Sequence, residues 1–368
     1  MKTYQDDKIF LSTRVQLVEL SQDNKRLLLA PTFQGRVFTS SASGDSGYSF
    51  GWINYKLLES GKLLPHCNNF GGEDRYWLGP EGGQYAIFFK PGSKPTFDFE
   101  DWQAPSLIDT DAWAITEQHK SSVSFTKSTI LTNYSNTKFN CKLDRRVSIL
   151  STKQIADSLG VDINPTVEVV GFTSENKLTN IGKNTWNKKD GGLSIWILGQ
   201  FIPSDQNHVI IPFRESKVDK INDIYFGKID ADRLEKRNNV YYFKCDGYKR
   251  GKIGIPPQMT YPIVFSLDEE NNVLTIVKFS FDSEAKDYIN SLWAYQEHPY
   301  QGDVINSYND GPLEDGSIMG PFYEIENSSK ALFLKPDESY THVSNTIHLR
   351  ADLDDLKKIM DALLQQFI

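Results

Sequence analysis

Short runs rich in Val, Ile, Thr, Tyr and Phe recur along the whole chain, each closed by a Gly, Pro, Asn or Asp turn signal. Among them are "RVQLVEL", "GRVFTSS", "QYAIFF", "SVSFTKSTIL", "CKLDRRVSIL", "SIWILGQF", "HVIIPF", "YPIVFSL", "NVLTIVKFSF", "ALFLKP" and "HVSNTIHLR". That many strands exceed a small sandwich. In "VSFTKSTI", Val123, Phe125, Lys127 and Thr129 alternate with Ser124, Thr126, Ser128 and Ile130, and neither set is wholly apolar. The pattern predicts layered sheets rather than a barrel.

Helix signals are few. Leu353, Leu356, Met360, Leu363 and Phe367 recur at spacings of three and four behind Asp352, a good N-cap residue, and predict a C-terminal helix. A weaker pattern, "SEAKDYINSLWAYQ", places Ala285, Tyr288, Ile289 and Leu292 on one side. Both read as cladding on a sheet. No internal repeat, low-complexity tract or Pro/Gly/Ser linker interrupts the chain, which predicts one all-β domain over residues 1–368.

Composition narrows the function classes. The 368 residues are 39% hydrophobic, 12% aromatic and 24% charged, enough to bury a sizeable core. The net charge is −8, and no Lys/Arg run is long enough to track a phosphate backbone, so nucleic acid is not an expected partner. No apolar stretch approaches the roughly 20 residues of a bilayer span, so no membrane partner is expected either. The start, "MKTYQDDKIF", lacks the apolar core of a secretory signal. The chain as it stands reads as cytoplasmic, or periplasmic if an export signal has been removed. Cys67, Cys141 and Cys245 are scattered and odd in number, and read as free thiols. "GGEDRYWLGPEGG" lacks the spacing and the Lys-Ser/Thr pair of a phosphate loop, and no histidine pair has the spacing of a helical zinc motif. No organic cofactor or metal is expected, although carboxylates and carbonyls are also what a structural calcium or sodium ion takes.

Residues 66–89, "HCNNFGGEDRYWLGPEGGQYAIFF", concentrate charge on a stretch with little regular backbone. If "EDRYWL" is extended, Glu73, Arg75 and Trp77 project to one side and Asp74, Tyr76 and Leu78 to the other. Such a trio suits a sugar: carboxylate and guanidinium groups give directional hydrogen bonds to hydroxyls, and an indole stacks on a pyranose face. It equally fits a structural Glu73–Arg75 pair beside a core tryptophan. The glycines around it permit close backbone approach, with Glu81 inside that framework. Upstream, Arg36 after Gly35 and Trp52 after Gly51 offer a second guanidinium and indole for the same cleft; a sheet-bridging arginine and a core tryptophan are the plainer alternatives.

Downstream, "FYEIEN" puts Phe322, Glu324 and Glu326 on one face, two carboxylates about 7 Å apart. Such a pair raises one pKa toward the range of a general base. An exposed edge strand with solvated glutamates is the alternative. Of the histidines, His66 heads the charged stretch and His342 follows the acidic strand.

Taken together, "GRVFTSSASG", "GWIN", "GGEDRYWLGPEGGQ", "SIWILGQF", "NSYNDGP" and "GPFYEIENSS" cover most of the chain, and it resembles an uncharacterised bacterial family of the galactose mutarotase-like superfamily. The resemblance implies a large β-supersandwich with a few short helices and a carbohydrate on a concave sheet face. In the aldose 1-epimerases of that superfamily a late-strand glutamate takes the anomeric proton while a histidine protonates the ring oxygen. By motif match, "YEIEN" followed by "LKPDESY" puts Glu324 in the base position. The chain departs from the pattern at Glu326, where a glutamine would stand, and at Asp337, where a turn glycine would stand. It departs again at Phe70, where a histidine would precede Gly71 and Gly72. The acid is unassigned by motif, and His66 is the nearest substitute.

The expected function is therefore a carbohydrate-binding protein that interconverts anomers or epimers of an aldose or sugar derivative. Glu324 is the base and His66 the second catalytic candidate. Arg36, Trp52, Glu73, Asp74, Arg75, Trp77, Glu81, Glu326 and His342 are the binding candidates. A non-catalytic sugar-binding protein is one alternative, and a polysaccharide lyase recruiting Tyr76 or Tyr323 is another.

Overall fold

The computed structural model describes residues 2–216, 220–313 and 315–368. In it the alternating runs pair into three antiparallel sheets. The largest has ten strands, in the spatial order Leu234–Arg237, Val240–Lys244, Asn207–Pro212, Ile263–Asp268, Val273–Phe279, Ser339–Arg350, Glu168–Asn180, Lys138–Ile149, Ser122–Thr132 and Ala114–Gln118. A second sheet orders Gly251–Ile255, Ile305–Asn309, Tyr323–Ser328, Ser194–Phe201 and Arg75–Gly79. A third joins Val18–Gln22, Lys25–Ala30 and Arg36–Ser41.

Period-2 alternation decides how these sheets stack. The two smaller sheets face one side of the ten-stranded sheet. Val37, Tyr76, Leu78, Ile195 and Ile197 meet Phe125, Phe139, Leu143 and Phe172 in one half of the interior. Ile253, Ile305, Tyr323 and Ile325 meet Val209, Phe243, Val264 and Val277 in the other. The second side of the ten-stranded sheet is covered by helices. Leu356, Met360, Leu363 and Leu364 of the C-terminal helix Leu353–Leu364 pack there on Phe265, Leu274, Ile276 and Ile347, with Ile155 and Leu159 of a helix at Thr152–Leu159. Burying each such side chain contributes roughly 1.5–3 kcal/mol. The all-β architecture with a few short helices and a C-terminal helix is the one expected from the periodicity.

Some local expectations are corrected. "SEAKDYINSLWAYQ" forms no helix: Tyr288 and Asn290 donate their backbone N–H groups to Tyr300 and Pro299, so tertiary pairing overrides the helical pattern. "QYAIFF" is a buried turn and loop rather than a strand, with Phe88 and Phe89 each 1% exposed. "ALFLKP" contributes a single bridge, at Leu332. The unanticipated helices Tyr4–Ser12 and Thr152–Leu159 each carry a capping box, Thr3 with Asp6 and Ser151 with Gln154.

Candidate functional site

Residues that do not face the interior from the five-stranded sheet form its outer face, and the register says which they are. Lys252 opposes Tyr308, Tyr308 opposes Glu324, and Glu324 opposes Gln200. In the next row Asn306 opposes Glu326, Glu326 opposes Leu198, and Leu198 opposes Arg75. Trp196 and Trp77 oppose each other in the third. The strand carrying Glu324 and Glu326 is central, with neighbours on both sides, so its carboxylates are not those of a solvated edge.

Charges meet on this face. Arg75 Nη2 donates to Glu324 Oε1 at 2.5 Å. Lys252 Nζ lies 2.9 Å from both oxygens of Glu326, which also accepts from Trp196 Nε1 at 3.0 Å. Asp303 accepts from the Tyr225 hydroxyl at 2.5 Å, and Glu81 lies within electrostatic range of Lys252, Glu326 and Glu324. Four carboxyl groups thus surround two cations. Burial pushes the Glu324 carboxyl up to about 7, with Arg75 pulling the other way and Glu326 reinforcing the rise. Burial likewise lifts Glu81 to about 7 and Asp303 to about 6. For Lys252, burial works to lower the pKa, but Glu326, Glu81 and Glu324 outweigh it and the ammonium is held more firmly. Carboxyls near neutrality beside fixed cations are the electrostatic arrangement that proton transfer at pH 7 needs.

Aromatic rings wall this charged patch. Trp77 stands edge-on to Trp196 with centroids 5.7 Å apart, and Arg75 lies 5.3 Å from the Trp77 ring. The wall continues through Phe88 and Trp102 to Trp293, with centroid spacings of 5.7, 5.5 and 5.6 Å. Near the Gln200 end, Trp52 packs on Phe322 at 4.7 Å and Phe322 on Tyr308 at 5.8 Å. Arg75 Nε, Trp77 Nε1 and Gln200 Oε1 are buried and make no hydrogen bond within the protein. Each would cost about 1–3 kcal/mol if it stayed unsatisfied, which is the condition a polyhydroxyl ligand relieves.

The structure brings Arg75, Trp77, Glu81, Glu324 and Glu326 together here, with Trp52 at the rim. Glu73 and Asp74 go elsewhere. Gly71 and Gly72, at φ +98° and +115°, bend the chain before the strand starts, so alternation does not extend back to Glu73. Its carboxylate accepts instead from the backbone N–H and hydroxyl of Ser40 and bonds His348 at 3.0 Å. Asp74 points inward to Arg145 at 2.5 Å and to Ser174, so both acids tie the site strand to the ten-stranded sheet.

Arg36 is 1% exposed and donates to Gly71 O; burial and Arg75 push its pKa down to about 9. His342 lies between the sheets, bonded to Asn327 and Ser280, and burial drives its pKa down to about 3. His66 sits at the Trp102 and Phe99 end of the aromatic wall, its Nδ1 2.6 Å from Trp102 O and its ring on Phe99. Tyr76 and Tyr323, the candidates of the lyase alternative, are interior, the latter bonded to Ser266.

Lys252, Trp196, Asp303, Tyr225 and Trp293 belong to the cluster without having been singled out. Trp196 shares the outward parity of Leu198 and Gln200 in "SIWILGQF", which is a usable signal; Asp303 and Tyr225 offered none. Among the described residues no group of three or more His, Cys, Asp and Glu side chains is arranged to hold a metal ion, and no helix is long and apolar enough to cross a membrane. A cavity of about 350 Å³ on the opposite side of the ten-stranded sheet is lined by three paired cations, Arg233 with Asp246, Arg237 with Glu235 and Lys357 with Glu269, and by Asp232 and Asp361. Arg75 Nε, Trp77 Nε1 and Gln200 Oε1, by contrast, are unsatisfied groups of the five-stranded sheet.

A family model described as "Family of unknown function (DUF6786)" matches residues 2–368. The chain belongs to this family. No curated protein matches this DUF6786 member by sequence. Solved structures match it by shape. The Slr1438 protein of Synechocystis sp. PCC 6803 is 12% identical with a TM-score of 0.56, over 92% of this chain and 97% of that one. A candidate aldose 1-epimerase of Escherichia coli K12 is 11% identical with a TM-score of 0.50, over 91% and 99%. A galactose mutarotase-like protein of Lactobacillus casei ATCC 334 is 10% identical with a TM-score of 0.50, over 91% and 100%. At such identities the likeness is one of fold: this DUF6786 member has the galactose mutarotase-like architecture.

Proposed function

We propose that the protein binds an aldose or sugar derivative on the outer face of the five-stranded sheet and interconverts its anomers, with Glu324 as general base. The observation that carries this reading is the Glu324 carboxyl itself: 8% exposed, lifted to about 7, and held by Arg75 beside the Trp77 and Trp196 indoles. A base that titrates near neutrality and is fixed in place can take the anomeric hydroxyl proton at ordinary pH. The indoles supply an apolar platform for the sugar ring, and the free Arg75 Nε and Trp77 Nε1 groups supply donors to its oxygens. The fold shared with the mutarotase-like structures supports the same substrate class.

Polarimetry of freshly dissolved α-anomers of neutral aldoses tests the reading. The protein is expected to accelerate the approach to equilibrium, and Glu324→Gln to remove the acceleration. Non-catalytic sugar binding is the second reading, favoured because the five-stranded sheet carries no histidine. It predicts binding with unchanged mutarotation.

A further inference from the structure

Opening a pyranose needs two proton transfers, and the base alone supplies one of them. The second group must reach the ring oxygen from the same cleft and must carry a proton when the base does not. None of the six histidines lies on the five-stranded sheet, and His66 has its Nδ1 engaged 2.6 Å from Trp102 O. Of the carboxyls in the cleft, Glu324 contacts Arg75 and Glu326 contacts Lys252, both within 3 Å. Asp303 and Glu81 contact no cation within ion-pair distance among the described residues; Asp303 is engaged by the Tyr225 hydroxyl, which donates to it at 2.5 Å, whereas Glu81 lies within electrostatic range of Lys252, Glu326 and Glu324.

The backbone of Glu81 is clamped. Its N–H donates to Ser291 Oγ at 3.3 Å. Two residues on, Gly83 adopts φ +80°, and a Cβ there would stand 2.6 Å from Gln296 Nε2. Gln84 and Gln296 exchange hydrogen bonds of 2.8 and 3.0 Å, locking the turn to the loop that carries Trp293. The clamp fixes the Glu81 backbone beside the loop that carries Trp293, at the edge of the aromatic wall.

We propose that Glu81 is the general acid of the reaction whose base is Glu324, so that a pair of glutamates performs the proton transfers. The role rests on the anomer-interconverting reading above. As the bond between C1 and the ring oxygen breaks, its electron pair stays on the ring oxygen, which takes the proton of the Glu81 carboxylic acid. The Glu324 carboxylate takes the proton of the C1 hydroxyl, and C1 becomes an aldehyde carbon. After rotation about C1–C2, Glu324 returns its proton to the carbonyl oxygen. Glu81 recovers its own from the hydroxyl that attacks C1. No net proton is consumed. The two environments separate the roles: contact with Arg75 favours the ionised form of Glu324, whereas burial without a contacting cation favours the protonated form of Glu81.

The test is the pH dependence of α-anomer mutarotation by the full chain, compared among wild type, Glu81→Gln, Glu81→Asp and His66→Gln. Glu81→Gln is expected to lower kcat by roughly 10²–10⁴-fold with KM within about threefold, and to abolish the fall in rate at alkaline pH. Glu81→Asp should restore part of kcat and the alkaline limb. If Glu81→Gln retains wild-type kcat and its alkaline limb, or if His66→Gln is the variant that loses that limb, the role is overturned while the proposed function stands. Wild-type protein that accelerates no aldose overturns both. Should Glu81→Gln fail to fold, carbon-detected NMR titration of Glu81 in the wild type decides: a carboxyl still protonated near pH 6 supports the role, and one ionised by pH 5 overturns it.

Discussion

Arg75 and Glu324, 249 positions apart in sequence, meet at 2.5 Å across the strand Ser194–Phe201 that separates their own strands. The guanidinium holds the carboxylate in place and opposes the burial that would keep it protonated. Removing that cation leaves an acid in a pit with Glu326 as its neighbour. Arg75→Met is therefore expected to move the acid limb of the pH–rate profile upward by about one unit or more and to lower kcat/KM at pH 7 by roughly 10–100-fold. Polarimetry from pH 5 to 9 reads both effects. A profile unchanged by Arg75→Met would separate the cation from the base.

Beneath the site, Asp74 and Arg145 form an ion pair in which neither side chain is more than 1% exposed. Arg145 also donates to Asn176 and to the Gly35 carbonyl. Breaking such a pair leaves an uncompensated buried charge, at a cost of roughly 3–5 kcal/mol. Asp74→Asn and Arg145→Met should each lower the thermal midpoint by on the order of 10 °C, while the exposed Lys153–Asp157 pair should contribute less than about 1 kcal/mol. Calorimetric melts of the variants check the contrast.

Stability should fall on both sides of mildly acidic pH, for two different reasons. Glu81 and Glu324 at about 7 and Asp303 at about 6 lie above their unfolded values. The folded state binds more protons there, so their contribution is fully present below the unfolded values, 4.5 for the glutamates and 3.8 for Asp303, and is lost as pH rises through 6 to 7. His342, at about 3 against 6.5 unfolded, acts in the opposite sense: the fold holds it neutral, and stability is lost as pH falls from 6.5 toward 3. Each group changes stability by at most about 1.4 kcal/mol per pH unit. Urea midpoints from pH 3 to 8 should show His342→Gln flattening the acid side and Glu81→Gln the alkaline side.

Gly71 is expected to tolerate no side chain. It adopts φ +98°, and a Cβ would stand 2.1 Å from the Trp52 carbonyl oxygen. Gly61, at φ +60°, has nothing within 4 Å of the same position. Gly61→Ala should cost about 1–2 kcal/mol through backbone strain alone. Gly71→Ala should displace the strand that carries Arg75, with loss of soluble folded protein; similar yields and melts for the two variants would contradict this.

The fold was legible because strand alternation is a local signal. "SIWILGQF" is the strand Ser194–Phe201, and "YEIENS" shows its inward Tyr323 and Ile325 and outward Glu324 and Glu326 directly. The placement of Arg75 beside Trp77 followed from the same rule. Glu73 did not, because positive-φ glycines ahead of it break the alternation on which its side was assigned. His342 was drawn in by nearness in sequence, yet it lies on a strand whose inward face sees Asn327. Lys252, Asp303 and Tyr225 reach the cleft from segments that carry no periodic or motif signal; the pairing of Gly251–Ile255 with Ile305–Asn309 places Lys252, and the Tyr225–Asp303 hydrogen bond places the other two. The "SEAKDYINSLWAYQ" segment misled for the converse reason: its pattern is local, while its backbone hydrogen bonds are not.

Two-dimensional exchange NMR on an equilibrated mixture of both anomers of a neutral aldose tests the central claim most directly. With catalytic amounts of wild-type protein, cross-peaks should join the two anomeric protons. With Glu324→Gln they should vanish, while saturation transfer still reports contact between sugar and protein. Cross-peaks of equal strength for the two proteins, or no contact between sugar and the wild type, would contradict the account.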